Sequence, residues 1–257
     1  MKGLIVLPLL FLANFCFAQK PVFKSKKFIF GYDYGTSIPG SDFAKSDVSK
    51  LPMSRFYKQD TNKLNGYAKK GFHYDIYFTY KILRHLGITV AVSGDQDNYN
   101  INTLYAQYIP FFPPNTVAVS TGDNYYIVQY LIGPYVNITP VHGLNIELKA
   151  LCGPTSANYP GLEFFGGPET ELYTTQKGSA FGYNAGLGIT YMVEEVKEIG
   201  LGIHLNANYI GANISYPSYS ETYYTPLNVY LNSSTYSIPK TMTMSIIQVT
   251  LGVSLEF

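Results

Sequence analysis

The chain has 257 residues, 46% hydrophobic and 16% aromatic but only 14% charged, with 25 Tyr, 16 Phe, 23 Gly and no Trp. So few charges among so many aromatics exclude a disordered chain and disfavour a helical bundle, which is built from Leu, Ala, Glu and Lys. The formal net charge is +1 and Lys2 is the only charged residue before Ala18, so the rest of the chain is neutral. A neutral chain excludes a whole-molecule nucleic-acid footprint.

In chain order, a basic Lys2, an apolar stretch from Leu4 to Phe17 and the small residue Ala18 predict a secretory signal peptide over residues 1–18. The apolar stretch is too short to span a bilayer, and a basic, Pro-containing segment follows. Asn14 and Phe15 before Cys16 stand where a lipoprotein site needs small residues. After cleavage Cys152 is the one cysteine left, which excludes an internal disulfide.

Eight segments then alternate with period two, the mark of strands with two unlike faces. The first, Lys27 to Ile38, sets Phe28, Phe30, Tyr32 and Tyr34 against Gly31, Asp33 and Gly35. The second, Lys69 to Lys81, sets Phe72, Tyr74, Ile76, Phe78 and Tyr80 against His73, Asp75, Tyr77 and Thr79. Further strands carry Ile88, Val90 and Val92; Tyr126, Val128, Tyr130 and Ile132; Leu144, Ile146 and Leu148; Phe181, Tyr183, Leu187 and Ile189; and Ile199, Leu201, Ile203 and Leu205. The last runs back from Phe257 through Leu255, Val253, Leu251, Val249 and Ile247 on one face, against Glu256, Ser254, Gly252, Thr250 and Gln248. Pro134 falls inside the fourth strand, where it cannot donate to the ladder, and predicts a bulge after Gly133.

Connections at 82–86, 139–142 and 192–198 are short, whereas 40–68, 96–122, 153–177 and 212–240 are long. Short turns on one rim and long loops on the other are a feature of membrane barrels. The facing decides between barrel types. A lumen ringed by eight strands has room only for ordinary side chains, so it cannot hold Phe and Tyr from every strand, and the aromatic face must meet lipid. A β-sandwich would also bury that face, but long loops at one end only are unusual for it.

With these residues in view, the chain from about Lys27 to Phe257 resembles the eight-stranded outer-membrane β-barrel family, of which the OmpA-type transmembrane domain is the best known. The resemblance implies an all-β, eight-stranded antiparallel up-and-down transmembrane barrel over residues 19–257, with four long extracellular loops and three short periplasmic turns. It implies location in a Gram-negative outer membrane, with outer-membrane lipid and the barrel-assembly machinery as partners. Phe257, Leu255, Val253, Leu251 and Val249 resemble the C-terminal signal that this machinery reads.

On the minority face, Asp33, Asp75, Glu147, Lys149 and His204 are expected at one level of the lumen, with His73 two residues from Asp75. Buried charges there should pair, and the plain reading is a satisfied polar plug that closes the pore. His73 and Asp75 are about 7 Å apart in strand geometry, and no Ser is placed to complete a triad. No spacing suggests a metal site, and no cofactor is expected.

The long loops hold the other candidate. Tyr216, Tyr219, Tyr223, Tyr224, Tyr230 and Tyr236 stand among Ser, Thr and Asn, a mix suited to a binding surface; the alternative is that loop aromatics pack on one another. The loop at 40–68 is basic, with Lys45, Lys50, Arg55, Lys58 and Lys63, and 153–177 carries Glu163, Glu169 and Glu171. The expected role is structural or one of surface interaction. The alternatives are a barrel-embedded hydrolase or acyltransferase acting on lipid or peptide, and a small channel. A nucleophile near His73 at the outer rim would favour the enzyme, and a fully paired lumen the structural role.

Overall fold

The period-two segments do pair as strands, because each face finds a different solvent. The structure, a computed structural model, describes residues 26–47, 63–111, 117–120, 123–141, 143–166, 169–196, 199–217, 219–224, 230–236 and 240–257. The signal segment expected at 1–18 and the basic loop residues Lys50, Arg55 and Lys58 lie outside them. Eight long strands are β1 (Phe28–Gly40), β2 (Ala68–Leu83), β3 (Leu86–Tyr99), β5 (Tyr125–Val141), β6 (Leu144–Tyr159), β9 (Gln176–Val196), β10 (Ile199–Tyr216) and β13 (Lys240–Glu256). They close in the order β1-β13-β10-β9-β6-β5-β3-β2, every neighbour antiparallel. Among the described residues no helix is long and apolar enough to cross a membrane.

The seam is closed by the chain ends. Phe28 N donates to Phe257 O at 2.9 Å, Phe257 N returns a bond to Phe28 O at 2.9 Å, and the two rings stack at 5.7 Å. Two short turns are resolved in detail: Leu83 leads to Leu86 through Arg84 and His85, whose Nδ1 is 2.9 Å from Asn137 O, and Gly143 takes φ +77° before β6. That left-handed conformation suits glycine.

Pro134 does not produce the predicted bulge. Pairs Ile132↔Cys152 and Tyr135↔Lys149 on either side keep one offset, and Pro134 stays in register with Ile88. The β5–β6 register shifts instead near the turn, between Ile138 and Val141. Pro134 faces outward, so only its own ladder bond is lost and the strand need not bend.

The strands are longer than the lipid-facing pattern alone indicates, and the faces exchange character along them. On β10 the outward residues run Ile199, Leu201, Ile203, Leu205 and Tyr209, then Asn213 and Ser215. Its inward residues run His204, Asn206 and Asn208, then Ile210, Ala212, Ile214 and Tyr216. On β13 the inward set changes from Thr250 and Gln248 to Ile246, Met244 and Met242, all buried. The reversal falls at Tyr209/Ile210 on one strand and at Ile247/Ile246, their ladder partners, on the other. Below this level lipid surrounds the barrel and the lumen is polar; above it water surrounds the barrel and the interior is apolar. The reversal therefore marks the outer membrane surface.

Above it stands what the sequence reads only as loops. The strands β4 (Val117–Ser120), β7 (Leu162–Gly166), β8 (Glu169–Tyr173), β11 (Tyr219–Tyr224) and β12 (Tyr230–Tyr236) form a second antiparallel sheet, in the order β12-β11-β8-β7-β4. One helical turn, α1 (Ser41–Ala44), packs on β13, β1 and β2 of the barrel, and a longer helix, α2 (Ile101–Tyr108), packs on β4 of this sheet. Asn100 caps α2, its Oδ1 accepting from Thr103 N at 3.3 Å.

Candidate functional site: the lumen and its outer seal

Each lumen side chain sits where strand parity puts it, and Asp33, Asp75, His73, Glu147 and His204 are all buried. Asp75 is the ladder partner of Asp33, which bonds His204, so these three stand together, but the described hydrogen bonds do not join all five into one cluster. Barrel closure brings together residues from strands far apart in sequence, and the polar groups sort into separate sets.

The middle set joins Asp33 of β1 to His204 of β10. His204 Nε2 bonds Asp33 Oδ1, Asn206 Nδ2 donates to Asp33 Oδ2 at 2.8 Å, and Tyr77 Oη lies 3.5 Å from His204 Nε2. The strand between is β13, and its Gly252 is the ladder partner of both Asp33 and His204. A Cβ at Gly252 would collide with Asp33 Oδ1 and His204 Nε2, so the bond crosses a strand because that strand carries no side chain there. Gly71 of β2 plays the same part for Ser37 and Asp97, its ladder partners on either side, whose side chains meet across it.

Nearer the outer face, His73 Nδ1 is 3.0 Å from Asp95 Oδ1, and Gln248 Nε2 donates to Asp95 Oδ1 and Oδ2 at 2.9 and 3.0 Å. Toward the turns, Lys81 Nζ pairs with Glu256 Oε2 at 3.0 Å, both buried. Thr190 Oγ1 donates to Glu147 Oε1 at 2.6 Å.

Lys149 corrects the expectation of a paired cluster. Its Nζ lies 3.5 Å from the centroid of the Tyr77 ring, a cation–π contact in place of an ion pair. It does so because Tyr77 folds flat over Gly31, its ladder partner, and fills mid-lumen between Lys149 and the Asp33–His204 pair. His73 likewise pairs with Asp95, its ladder partner on β3, rather than with Asp75 on its own strand. Asp95, Asp97, Lys81, Gln248 and Glu256 are members that sequence reading missed. Period two put Lys81, Gln248 and Glu256 on the polar face; Asp95 and Asp97 lie on β3 beyond Val92, where the strand runs on into the stretch expected as a loop at 96–122. Among the described residues no group of three His, Cys, Asp or Glu side chains fits a metal ion.

Above this polar column the barrel is sealed by its own chain. The backbone of Leu64 to Tyr67 enters the mouth, where Leu64 N donates to Thr241 O at 2.7 Å, Gly66 N to Asp42 O at 2.9 Å and Tyr67 N to Lys45 O at 3.0 Å. Two tyrosines of the wall hold it from the other side. Tyr125 Oη donates to Gly66 O at 2.6 Å and Tyr159 Oη to Asn65 O at 2.9 Å. The rings of Phe43, Tyr67, Tyr99, Tyr125, Tyr159 and Tyr216 form one chain of contacts 4.8 to 6.4 Å apart, all buried.

Tyr216 was expected on a loop surface and is instead a buried member of this seal. The strand it ends stands above the membrane, where apolar side chains turn inward away from water. Tyr219, Tyr223 and Tyr224 lie on β11 and Tyr230 and Tyr236 on β12, with Tyr219 opposite Tyr236 and Tyr224 opposite Tyr230; their side chains lie outside the described ones. Phe257, Leu255, Val253, Leu251 and Val249 form one outward, exposed row on the lipid side of β13.

No family model matches the chain, and no curated protein sequence matches it. Solved structures do. The chain is similar to Ail, the attachment invasion locus protein of Yersinia pestis, at 10% identity over 91% of this chain and 100% of that one, with a TM-score of 0.42. It is similar to Neisserial surface protein A at 13% identity over 90% and 97%, with a TM-score of 0.46. It is also similar to the outer membrane protease OmpT from Escherichia coli, at 9% identity over 93% and 99%, with a TM-score of 0.35. Identities this low carry no residue role across. The eight-stranded transmembrane barrel stands on the strand order and the lipid-facing band described above.

Proposed function

We propose that this protein is an outer-membrane barrel in which a closed, non-conducting barrel serves as the anchor and the outward five-stranded sheet as the interacting surface. The observation that carries this reading is the seal: Asn65 and Gly66, held by Tyr159 and Tyr125, fill the mouth above a lumen already crossed by side-chain bonds. Burial of His73 and Asp95 beneath that seal supports a structural role for them over a catalytic one, since a catalytic pair must be reached by substrate. The sheet, with its Tyr, Ser, Thr and Asn strands β11 and β12, has a composition suited to adaptable contacts. Assembly would proceed by recognition of the Val249 to Phe257 row by the barrel-assembly machinery.

Two measurements test it. In planar bilayers the purified protein is expected to show no steady conductance, and a large steady current would overturn the closed anchor. A Thr222→Cys variant in a Cys152→Ser background is expected to react with a membrane-impermeant maleimide on intact cells. Reaction only after lysis would overturn the outward placement of the sheet.

A further inference from the structure

At the outer membrane surface marked by the reversal of the two faces, β2 breaks its alternation. Lys69 pairs with Asn98 and Gly71 with Asp97, so Lys70 is an extra residue with no partner of its own on β3. The result is a bulge, and both Lys69 and Lys70 are exposed on the outside of the barrel, whereas Ala68 and Gly71 on either side of them are buried. In a regular strand one of the two lysines would point into the aromatic seal beside Tyr67 and Tyr99. The bulge is supported by its neighbour, because Asn98 Nδ2 donates to Lys70 O at 2.8 Å and so occupies the carbonyl the irregular ladder leaves over.

The position is as telling as the geometry. Phe72, the next outward residue toward the membrane, is 56% exposed on the lipid side, and its ring stacks on Tyr34 at 6.2 Å. These rings form an aromatic step of the kind found where a barrel leaves the hydrocarbon. Two adjacent ammonium groups therefore stand one step above the hydrocarbon, at headgroup depth. Neither meets a carboxylate among the described residues, and their outward neighbours across the strand are the neutral Gln96 and Asn98.

We infer that the Lys69–Lys70 bulge is a binding site for the phosphate of an anionic lipid headgroup in the outer leaflet. A phosphate monoester on a lipid offers several acceptor oxygens and about two negative charges, which matches two neighbouring ammonium groups. The apolar rings of Phe72 and Tyr34 below give its acyl chains a surface to lie on. The site rests on the outward placement of the sheet and loops proposed above.

The test uses the full-length protein folded in detergent, with Lys69→Gln/Lys70→Gln beside wild type, titrated with phosphorylated lipid A, with the same lipid lacking its phosphates, and with inorganic phosphate. Retained lipid is read by native mass spectrometry. Both lysines are solvent-exposed, so the variant is expected to fold, and heat-modifiable gel mobility checks that it has. Wild type is expected to retain the phosphorylated lipid, and the double variant to retain it roughly thirtyfold less tightly, the scale of two lysines near a charged surface. The dephosphorylated lipid should bind wild type and variant alike. Equal retention of phosphorylated lipid by a folded variant would overturn the site, as would no preference of wild type for the phosphorylated form. Binding of inorganic phosphate as tight as that of the lipid would overturn the lipid assignment in favour of a free-anion site. Maleimide labelling of Thr222→Cys reports separately on sidedness, so a failure there is distinct from a failure of the phosphate contact.

Discussion

Asp33 of β1 and His204 of β10 are bonded to each other across the inner face of β13, directly over Gly252, the ladder partner of both. The bond therefore spans the seam where the first and last strands meet. Gln248 of β13 with Asp95 of β3, and Lys81 of β2 with Glu256 of β13, span the same seam at other levels. A barrel whose closure rests on one edge-to-edge ladder gains side-chain ties across it.

Gly252→Ala is expected to lower stability by about 1 to 3 kcal/mol, the range for forcing extra atoms into a packed interior. Urea titration of protein folded into vesicles measures it. If the Asp33–His204 tie matters, the cycle through Asp33→Ala and His204→Ala should show a coupling of roughly 0.5 to 3 kcal/mol. Additive losses would show that the two residues act independently.

The reversal of faces on β13 predicts opposite outcomes for one kind of change on one side of one strand. Leu251 and Thr243 both face outward and are exposed. Leu251→Arg puts a charge against lipid and should cost about 2 to 4 kcal/mol near the midplane. Thr243→Arg puts it in water above the membrane and should leave folding yield into vesicles unchanged. Similar losses from both would misplace the membrane surface.

Tyr125→Phe and Tyr159→Phe each remove a hydroxyl that holds the backbone of the seal. Each is expected to cost about 1 kcal/mol, with more if the Gly66 or Asn65 carbonyl is left unpaired. Hydrogen exchange at the amides of Gly66 and Tyr67 should quicken while exchange in β13 does not. Unchanged exchange at Gly66 would show that the seal is held by its ring packing alone.

Lys81→Ala leaves Glu256 buried without its partner and should cost about 3 to 5 kcal/mol, whereas Lys81→Met/Glu256→Leu should recover most of that loss. A double variant as unstable as the single one would assign the cost to packing at the seam.

The strands were legible in the sequence because lipid and lumen impose opposite demands on alternate residues, and this period-two signal needs no knowledge of which strand pairs with which. All eight long strands and the inward facing of Asp33, His73, Asp75, Glu147 and His204 follow from that demand. The partners do not follow from it. Asp33 meets His204 and Lys81 meets Glu256 only because closure sets β1, β2, β10 and β13 side by side at one register, and Lys149 meets Tyr77 only because that ring lies over Gly31. The outer sheet and the seal were hidden for a related reason. Above the membrane the surrounding solvent is water, so apolar side chains such as Ile210, Ile214 and Met244 turn inward, and a pattern read for lipid stops at Tyr209 and Ile247 while the strands continue.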